Sequence, residues 1–242
     1  MIKLFYDFHI HTCLSPCGDD EMIPENILGM AFTKGLNLIA ITDHNSLKNC
    51  RPVIEHASEY GIIAIPGVEL NTSEEIHVLM LFRTIEEAEI FDSFLERRLV
   101  KVFNNEKIFG KQEVVNMKGD TLYIEESLLI NVTDISFDEI VKIADRFNAI
   151  IIPAHIDKDS NSVLSILGQI PENIGISLVE IKDKSKTDSL LESHPYLNKC
   201  KLLFNSDAHY LTDINEPFHY IEVTESTINC IFSTLLEKKE LL

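Results

Sequence analysis

Residues 3–12, KLFYDFHIHT, join a short apolar run to a pair of histidines. Alternate side chains of a β-strand lie on the same face, so Asp7, His9 and His11 can point in one direction. Two imidazoles in the spacing H-x-H at the end of a strand commonly chelate a metal ion, and Asp7 could orient one of them through a hydrogen bond. The same pattern also fits polar residues on a solvated strand edge, so its meaning depends on the rest of the chain.

Short apolar runs recur along the chain and alternate with segments of helical period. We predict strands at roughly 3–8, 38–42, 62–68, 77–82, 149–153, 178–181, 202–205 and 220–223. Strands that alternate with helices are typical of parallel βαβ units, and seven or eight of them predict an α/β fold of the distorted (β/α)7-barrel type. An open doubly wound sheet is the alternative. The sequence contains neither G-x-G-x-x-G nor a P-loop motif, so dinucleotide and P-loop functions have no support.

One segment, residues 101–133, interrupts this alternation. We therefore predict a single barrel domain over residues 1–242, with residues 101–133 as an insertion that contains a hairpin. In barrels such excursions usually lie on the catalytic face, where they serve as lids or as walls of the substrate site.

The charge balance limits the class of partner. The chain has 21 Lys and Arg against 39 Asp and Glu, a formal net charge of −18. A field of this sign repels phosphate backbones and anionic lipids, which argues against an extended nucleic-acid surface and against a membrane surface. It does not exclude a local, metal-lined site for one phosphate.

No apolar run approaches the roughly 20 residues that span a bilayer, the first residues do not resemble a signal peptide, and the five cysteines are too scattered for a disulfide framework, so we predict a cytoplasmic location.

Other predicted strands also end at side chains that bind metals. These residues are Asp43 and His44, Glu69, His155, and Asp207 and His209. Because five separate strand ends seldom carry such residues by chance, we predict that they form one site at the C-terminal mouth of the sheet. His77 begins a predicted strand, so it reaches this mouth only if that strand runs antiparallel to its neighbours. His56, His194 and His219 lie in other contexts, and we predict surface or structural roles for them.

In order and spacing, the motifs DFHIHT, TDH, GVE, the downstream His77, PAH and SDAH resemble those of the polymerase-and-histidinol-phosphatase (PHP) family of metal-dependent phosphoesterases. The resemblance covers most of the chain and is strongest to the stand-alone bacterial members. It implies a distorted barrel of about seven βα units with up to three divalent metal ions at the C-terminal mouth.

The resemblance also implies a ligand for each metal ion. The first ion would be held by His9, His11, Glu69 and Asp207, the second by Glu69, His77 and His155, and the third by His44 and His209. One position departs from the family, because the loop after H-x-H has Cys17, with Asp19 nearby, where the family commonly has His or Asp. A thiolate is a good zinc ligand, so the third site is either intact with an altered metal preference or weakened, which would leave two metal ions.

These features together predict a phosphoric ester hydrolase. Imidazole and carboxylate ligands suit Zn²⁺, Mn²⁺ or Fe²⁺ better than Ca²⁺ or Mg²⁺, so we expect two or three ions of the first group. We predict Asp207, Glu69 and His209 as catalytic residues, with Asp207 or a water molecule on the metals as the proton acceptor. The expected substrate is a small phosphorylated metabolite or a short nucleic-acid end.

Two other functions remain open at this point. An amidohydrolase-type barrel also begins with H-x-H and would cleave C–N bonds, although no Lys here ends a middle apolar run. A non-catalytic PHP module is the second alternative. For contact with the phosphate, the sequence offers Arg51, Arg83 and the lysines of the predicted insertion, without placing them at the mouth.

Overall fold

A curled six-stranded sheet forms the centre of the molecule in the computed structural model, which describes residues 1–237. Residues 238–242 of the predicted domain lie outside the described residues. The strands of this sheet are β1 (Ile2–Ile10), β2 (Leu38–Ile41), β3 (Ile63–Asn71), β4 (His77–Leu81), β7 (Ile150–Pro153) and β10 (Tyr220–Val223), in the order β10-β1-β2-β3-β4-β7. Each lies on one of the apolar runs predicted as strands.

The strand directions bring the polar residues to one edge of this sheet. β1, β2 and β3 pair in parallel, whereas β4 pairs antiparallel with both β3 and β7. The ends of β1, β2, β3 and β7 therefore share an edge with the start of β4. The antiparallel direction of β4, on which the placement of His77 depended, is therefore confirmed. His77 pairs with Asn71 at the end of β3.

A separate parallel pair, β8 (Leu178–Glu180) and β9 (Lys201–Leu203), lies between the two sides of the curled sheet. The backbone N–H of Ile156, after β7, donates to Glu180 of β8 at 2.9 Å, and that of Ala208, after β9, donates to His9 of β1 at 3.1 Å. The α/β class is confirmed. The pairing describes a half-barrel, and the full repeat of seven βα units stays a prediction.

Helices cover the outside of the sheet. They are α1 (Pro24–Lys34), α2 (Cys50–His56), α3 (Ile85–Leu95), α4 (Glu106–Phe109), α5 (Phe137–Arg146), α6 (Val163–Leu167), α7 (Thr187–Ser193) and α8 (Ile228–Leu236). Helix α1 begins with Pro24 in its first turn and ends at Gly35, whose φ of 79° is the left-handed conformation that glycine adopts easily. A Ser136–Glu139 capping box starts α5, as its S-x-x-E sequence predicts.

Apolar side chains pack on both faces of the sheet. All four residues of β2 are buried, as expected for a strand covered on both faces. One core lies between the sheet and α1, α2, α3 and α5. The other lies inside the curl, where Phe232 of α8 joins residues such as Phe8 and Leu79. Because β10 and α8 lie beside the start of β1, this second core fills the end of the sheet opposite the polar edge.

Residues 101–133 contain α4 and the hairpin of β5 (Glu113–Val115) and β6 (Thr121–Ile124), so the hairpin predicted in this segment is present. The side chain of Asn49 bonds the backbone of Glu113 and Val115 at 3.0 Å each. The amide of Asn45 donates to two carbonyls at the end of the segment. These contacts hold the segment against the loop that follows β2. Within residues 1–237, no helix has both the length and the apolar character needed to cross a bilayer.

Candidate metal centre

The polar edge of the sheet brings every predicted metal ligand into one mouth. His9 and His11 come from the end of β1, His44 from the residues after β2, Glu69 from β3, His77 from the start of β4, His155 from the residues after β7, and Asp207 and His209 from the loop after β9. All but His209 are buried. These eight side chains thus come from six strand ends or the loops beside them, and the ninth predicted ligand, Cys17, comes from the exposed loop after β1.

The first group of donors is His9, His11, Glu69 and Asp207. The Nε2 atom of His9 lies 3.1 Å from Nε2 of His11, 3.3 Å from Glu69 Oε1 and 3.4 Å from Asp207 Oδ1. A tetrahedral ion with bonds of about 2.0–2.1 Å would separate its ligand atoms by roughly 3.3 Å. The spacing of these four donors therefore fits one first-row ion.

Glu69 also faces a second set of imidazoles. Its Oε1 lies 2.9 Å from His77 Nδ1 and 3.1 Å from His155 Nε2, and its Oε2 lies 3.0 Å from His44 Nδ1. His44, Glu69 and His77 form another compact donor group. A single buried carboxylate therefore connects two donor groups.

The third donor group consists of His11, His44 and His209. The sulfur of Cys17 lies 3.1 Å from His209 Nε2 at the exposed rim. Asp19, the neighbouring candidate, instead accepts the backbone N–H of Glu21 with its carboxylate. The structure thus brings Cys17, and not the Asp19 carboxylate, to this group.

The chemistry of the donors fits a metal ion. Among the described residues, His44 Nδ1 and Glu69 Oε2 are buried atoms without a hydrogen-bond partner, although they lie 3.0 Å apart. Buried polar atoms are normally paired, and a cation bound between these two atoms would satisfy both of them. A set of imidazoles and carboxylates suits zinc, manganese or iron.

Glu180, which the sequence reasoning did not single out, supports two of the histidines. Its carboxylate is fully buried and lies 3.0 Å from His9 Nδ1, and it accepts the backbone N–H of His155 at 2.9 Å. The amide of Asn205 also donates to it at 2.7 Å. With Nδ1–H donating to Glu180, His9 presents the lone pair of Nε2 to the mouth. Glu180 ends a buried strand, the same signal that marked Glu69.

His11 is held by a similar chain of contacts. The hydroxyl of Ser15 donates to Asp43 at 2.6 Å, so His11 Nδ1–H donates to Ser15 at 2.9 Å. Asp43 also accepts the backbone N–H and the hydroxyl of Thr12, both at 2.7 Å. Asp43 therefore supports His11 indirectly, through Ser15, and the Nε2 atom of His11 faces the donor groups.

Asp7 does not orient a histidine ring, contrary to the prediction. Its carboxylate accepts the backbone N–H groups of Ser206 and Asn215 at 3.0 Å each. The pairing of β1 with β2 is irregular between Asp7 and Ile10, so the simple alternation of faces does not hold there. Asp7 instead anchors the loop that carries Asp207.

Two of the predicted ligands have a left-handed backbone. The φ angle is 30° at His155 and 51° at Asp207. Residues other than glycine pay about 1–3 kcal/mol for such conformations, which cluster at functional sites. Contacts from Glu180 and Asp7 to the neighbouring backbone stabilise these turns.

The protonation states of the buried carboxylates and imidazoles suit the binding of a metal ion. Burial alone would raise the pKa of Glu69, but His77 and His9 hold it well below its usual range. For Asp207, His9 and His11 likewise outweigh burial and lower the pKa. Burial lowers the pKa of His44 well below its usual value and, with the nearby His11, that of His209 to about 4. The carboxylates are therefore ionised, and these two imidazoles are neutral.

Two lysines reach the mouth, and neither was predicted. The ammonium groups of Lys158 and Lys182 lie 2.5 and 3.2 Å from Asp207 Oδ2 and are partly exposed. The basic residues suggested by the sequence lie elsewhere, since Arg51 binds Glu55 and Glu89 and Arg83 binds a backbone carbonyl. Lys118 pairs with Glu25. Spacing alone could not reveal which cations reach the strand ends.

The remaining histidines lie away from the donor groups. His56 contacts Glu59 on the surface at 2.8 Å, and the ring of His219 stacks on Phe204. His194 ends α7, with its backbone N–H donating to Leu190. These positions agree with the predicted surface or structural roles.

The fold and the donor set define a candidate metal centre of the kind that metal-dependent hydrolases use. The PHP domain family matches residues 7–144, more than half of the 242 residues of the chain. The chain therefore belongs to the PHP domain family, as its motifs predict.

Individual relatives match over shorter regions. An uncharacterized protein of Methanocaldococcus jannaschii is 36% identical over 76 residues, which cover 28% of this chain and 44% of that protein. The 5′-3′ exoribonuclease Rnm of Escherichia coli is 35% identical over 83 residues, which cover 32% of this chain and 27% of that enzyme. The chain thus spans less than half of the length of either curated relative.

Similarity to a solved structure covers more of the chain than these sequence matches do. The crystal structure of the lesion-specific endonuclease PfuEndoQ from Pyrococcus furiosus has a TM-score of 0.68 to this chain, with 18% sequence identity, and the match covers 97% of this chain and 56% of that one. At this level of identity the likeness concerns the fold. Nearly the whole chain therefore adopts a fold known from a solved protein.

Proposed function

We propose that this chain is a metal-dependent phosphoesterase that hydrolyses a phosphate ester at a di- or trinuclear site of zinc, manganese or iron ions. The observation that carries the proposal is the sharing of donors, because His11, His44 and Glu69 each belong to two of the three donor groups. Shared ligands hold ions close together, and paired ions about 3.5–4 Å apart are typical of phosphoester hydrolysis. Membership of the PHP domain family supports the same chemistry.

The proposed ligand sets are those that the family motifs imply. They match the first donor group, have His155 in place of His44 in the second, and have Cys17 in place of His11 in the third. His9, His11, Glu69 and Asp207 would hold one ion, Glu69, His77 and His155 a second, and His44, His209 and Cys17 a third. When bound, the ions would activate a water molecule and offset the charge that develops on the phosphate. The protein residues position that chemistry, since Glu180 and Ser15 set the orientation of the His9 and His11 rings.

Asp207, Glu69 and His209 remain the proposed catalytic residues. Asp207 lies between the donor group and two lysines, and either its carboxylate or a water molecule on the metals is the proposed proton acceptor. Lys158 and Lys182 would contact the oxygens of the phosphate, since their ammonium groups lie at the mouth and are partly exposed. They bring positive charge to one place in an otherwise acidic protein.

The proposed substrate class is nucleic-acid ends or nucleotides, ahead of other phosphorylated metabolites. A relative and a structural neighbour bear the names of an exoribonuclease and an endonuclease. The net charge of −18 argues against a long duplex footprint on this chain, so one short end at the mouth is the better fit. The single barrel domain with residues 101–133 as its insertion, the seven-unit barrel and the cytoplasmic location are further parts of this proposal.

The alternative functions are less well supported. Amidohydrolase-type barrels commonly bridge two metals with a carboxylated Lys, but here Glu69 occupies the position between the donor groups. A non-catalytic module would be expected to have lost ligands, whereas every predicted ligand lies in the mouth. Phosphoester hydrolysis therefore stands as the main proposal.

One experiment tests this proposal directly. The purified protein is stripped with a chelator, reloaded with Mn²⁺, Zn²⁺ or Fe²⁺, and analysed for bound metal. It is then assayed with p-nitrophenyl phosphate, nucleoside 3′,5′-bisphosphates and 5′-phosphorylated oligoribonucleotides, beside a panel of dihydropyrimidines and lactones. We expect metal-dependent release of phosphate or nucleotide. Turnover of the dihydropyrimidines and lactones alone, or no turnover with any metal, would contradict the proposal.

A further inference from the structure

A second cavity adjoins the metal mouth. It has a volume of about 340 Å³, against about 180 Å³ for the mouth itself. Its lining consists of Pro16, Cys17, Ile108, Phe109, Gly110 and Ile130. Cys17 and Ile130 also line the mouth, so the two cavities are neighbours that share part of their walls. The second cavity is therefore the nearest place for the organic part of a molecule bound at the metal centre.

The lining of this cavity is apolar, although the protein as a whole is highly charged. Ile108 is 70% exposed and Phe109 is 39% exposed, and both belong to the short helix α4. Exposed apolar residues are common singly, but a cluster that borders a site is typical of a binding surface. Apart from the Cys17 thiol, the side chains in the lining offer no hydrogen-bonding group.

Local contacts fix the position of this wall. The side chain of Asn105 caps α4 by accepting the backbone N–H of Lys107 at 3.2 Å, and Asn104 donates to the Gly110 carbonyl at 2.9 Å. Gly110 has a φ of 80°, and a β-carbon there would lie 3.4 Å from the Pro16 carbonyl oxygen. The φ of 80° favours glycine at the end of α4, and this turn places Phe109 beside the loop that carries Cys17.

The lining of the mouth includes both charged and apolar groups. Lys158 is the lysine in its lining, and Cys17 and Ile130 are shared with the apolar cavity. A phosphate ester at the metal centre would therefore place its charged oxygens near the lysines and its organic group against Phe109. Sugars require several polar partners, which the side chains of this lining do not offer apart from Cys17, whereas a planar base can stack on an aromatic ring.

We propose that the cavity beside Phe109 binds the base of a nucleotide whose phosphate ester lies at the metal centre. The inference rests on the proposed function, because the mouth must bind a phosphate for the base to reach this cavity. Phe109 is then a specificity residue contributed by residues 101–133. The stack would make base-bearing ligands bind more tightly than the same ligands without a base.

Binding is measured with a ligand that cannot be hydrolysed. The probes are the phosphonate analogue of adenosine 5′-monophosphate, in which a methylene group replaces the ester oxygen, and the corresponding ribose phosphonate without a base. Calorimetric titration of the Mn²⁺-loaded protein gives both dissociation constants for the wild type, Phe109→Ala, Phe109→Trp and Phe103→Ala. Phe103 is a matched control because it lies in the same segment, is 83% exposed and does not line the cavity.

We expect the wild type to prefer the base-bearing probe, and Phe109→Ala to weaken its binding by about 5- to 150-fold, the range for one base–aromatic stack. The probe without a base should bind all four proteins equally, and Phe109→Trp should restore the preference. Equal affinity of the wild type for both probes, or an unchanged preference in Phe109→Ala, would overturn the inference. Because neither probe reacts, a protein that shows the preference but hydrolyses no phosphate ester would contradict the proposed function and not this site.

Discussion

The metal mouth and residues 101–133 lie side by side but are built in opposite ways. In the mouth, polar side chains are buried on strand ends, and Glu69 is only 1% exposed. In residues 101–133, apolar side chains such as Ile108 are exposed on a short helix and a two-stranded hairpin. A site for ions needs rigid, desolvated donors, whereas a site for an organic group needs accessible apolar surface. The difference suggests that chemistry and substrate choice belong to separate parts of the molecule.

The mouth is also the more constrained region. His9 and His155 share Glu180, and Ser15 links His11 to Asp43. The segment 101–133 is joined to the body through amide side chains such as Asn45 and Asn49, through backbone bonds, and through a small apolar cluster in which Val114 and Leu129 pack on Leu14. Substitutions should therefore have graded effects, largest within the donor groups and smallest on the exposed face of the segment.

The largest effect is expected from removal of a ligand of the first donor group, which consists of His9, His11, Glu69 and Asp207. Asp207→Ala or His9→Ala should abolish hydrolysis, with a loss of more than about 100-fold, because a ligand matters more than the supporting groups whose loss costs about 10–100-fold. Metal content should fall in parallel, as measured by elemental analysis. Asp188→Ala, on an exposed face of α7, serves as the control. Full activity in Asp207→Ala would remove this residue from the centre.

A smaller effect is expected from substitution of a residue that positions a ligand. Glu180→Gln keeps the shape of the side chain but weakens its bond to His9 Nδ1, so metal affinity should fall by about 10–100-fold. Glu59→Gln is a matched control, because Glu59 also contacts a histidine, His56, but on the surface. Competition with a metal chelator measures the affinity of each variant. Equal affinities of the two variants would show that Glu180 does not position His9.

Substitution of Cys17 tests the border between the metal mouth and residues 101–133. Desolvation of its sulfur, together with the charge of Glu69, raises the pKa of the thiol to about 12, so only a bound ion would make it a thiolate near neutral pH. Cys17→Ala should lower the affinity for the third ion by about tenfold or shift the preference between zinc and manganese, without unfolding the protein. Metal titration beside Cys230→Ala provides the comparison. Identical stoichiometry and preference would exclude Cys17 as a ligand.

The metal-ligating residues could be predicted because each one is marked by a short pattern of neighbouring residues in the sequence. A histidine or carboxylate directly after an apolar run marks a strand end, and parallel strands bring such ends together. His77 shows the limit of this reasoning, since its place in the mouth depends on the antiparallel direction of β4. Family motifs supplied that residue where periodicity alone did not.

The supporting residues were harder to find. Glu180 carries the same strand-end signal as Glu69, but no motif drew attention to it. Lys158 and Lys182 lie in loops, and only the folded chain shows that both reach Asp207. Asp7 was assigned to the wrong partner because the backbone N–H groups that it binds come from about 200 residues away along the chain. Such contacts depend on tertiary structure and leave no local pattern.

The smallest effect is expected on the exposed face of residues 101–133. Ile108→Ser removes an apolar side chain that is already 70% exposed, so the free energy of unfolding should change by no more than about 0.5 kcal/mol. In contrast, Phe91→Ala empties a fully buried position of the core and should cost about 3–5 kcal/mol. Urea denaturation of both variants measures the difference. If Ile108→Ser destabilised the fold as strongly as Phe91→Ala, the segment would be part of the core, and its apolar surface would exist for stability instead of for a ligand.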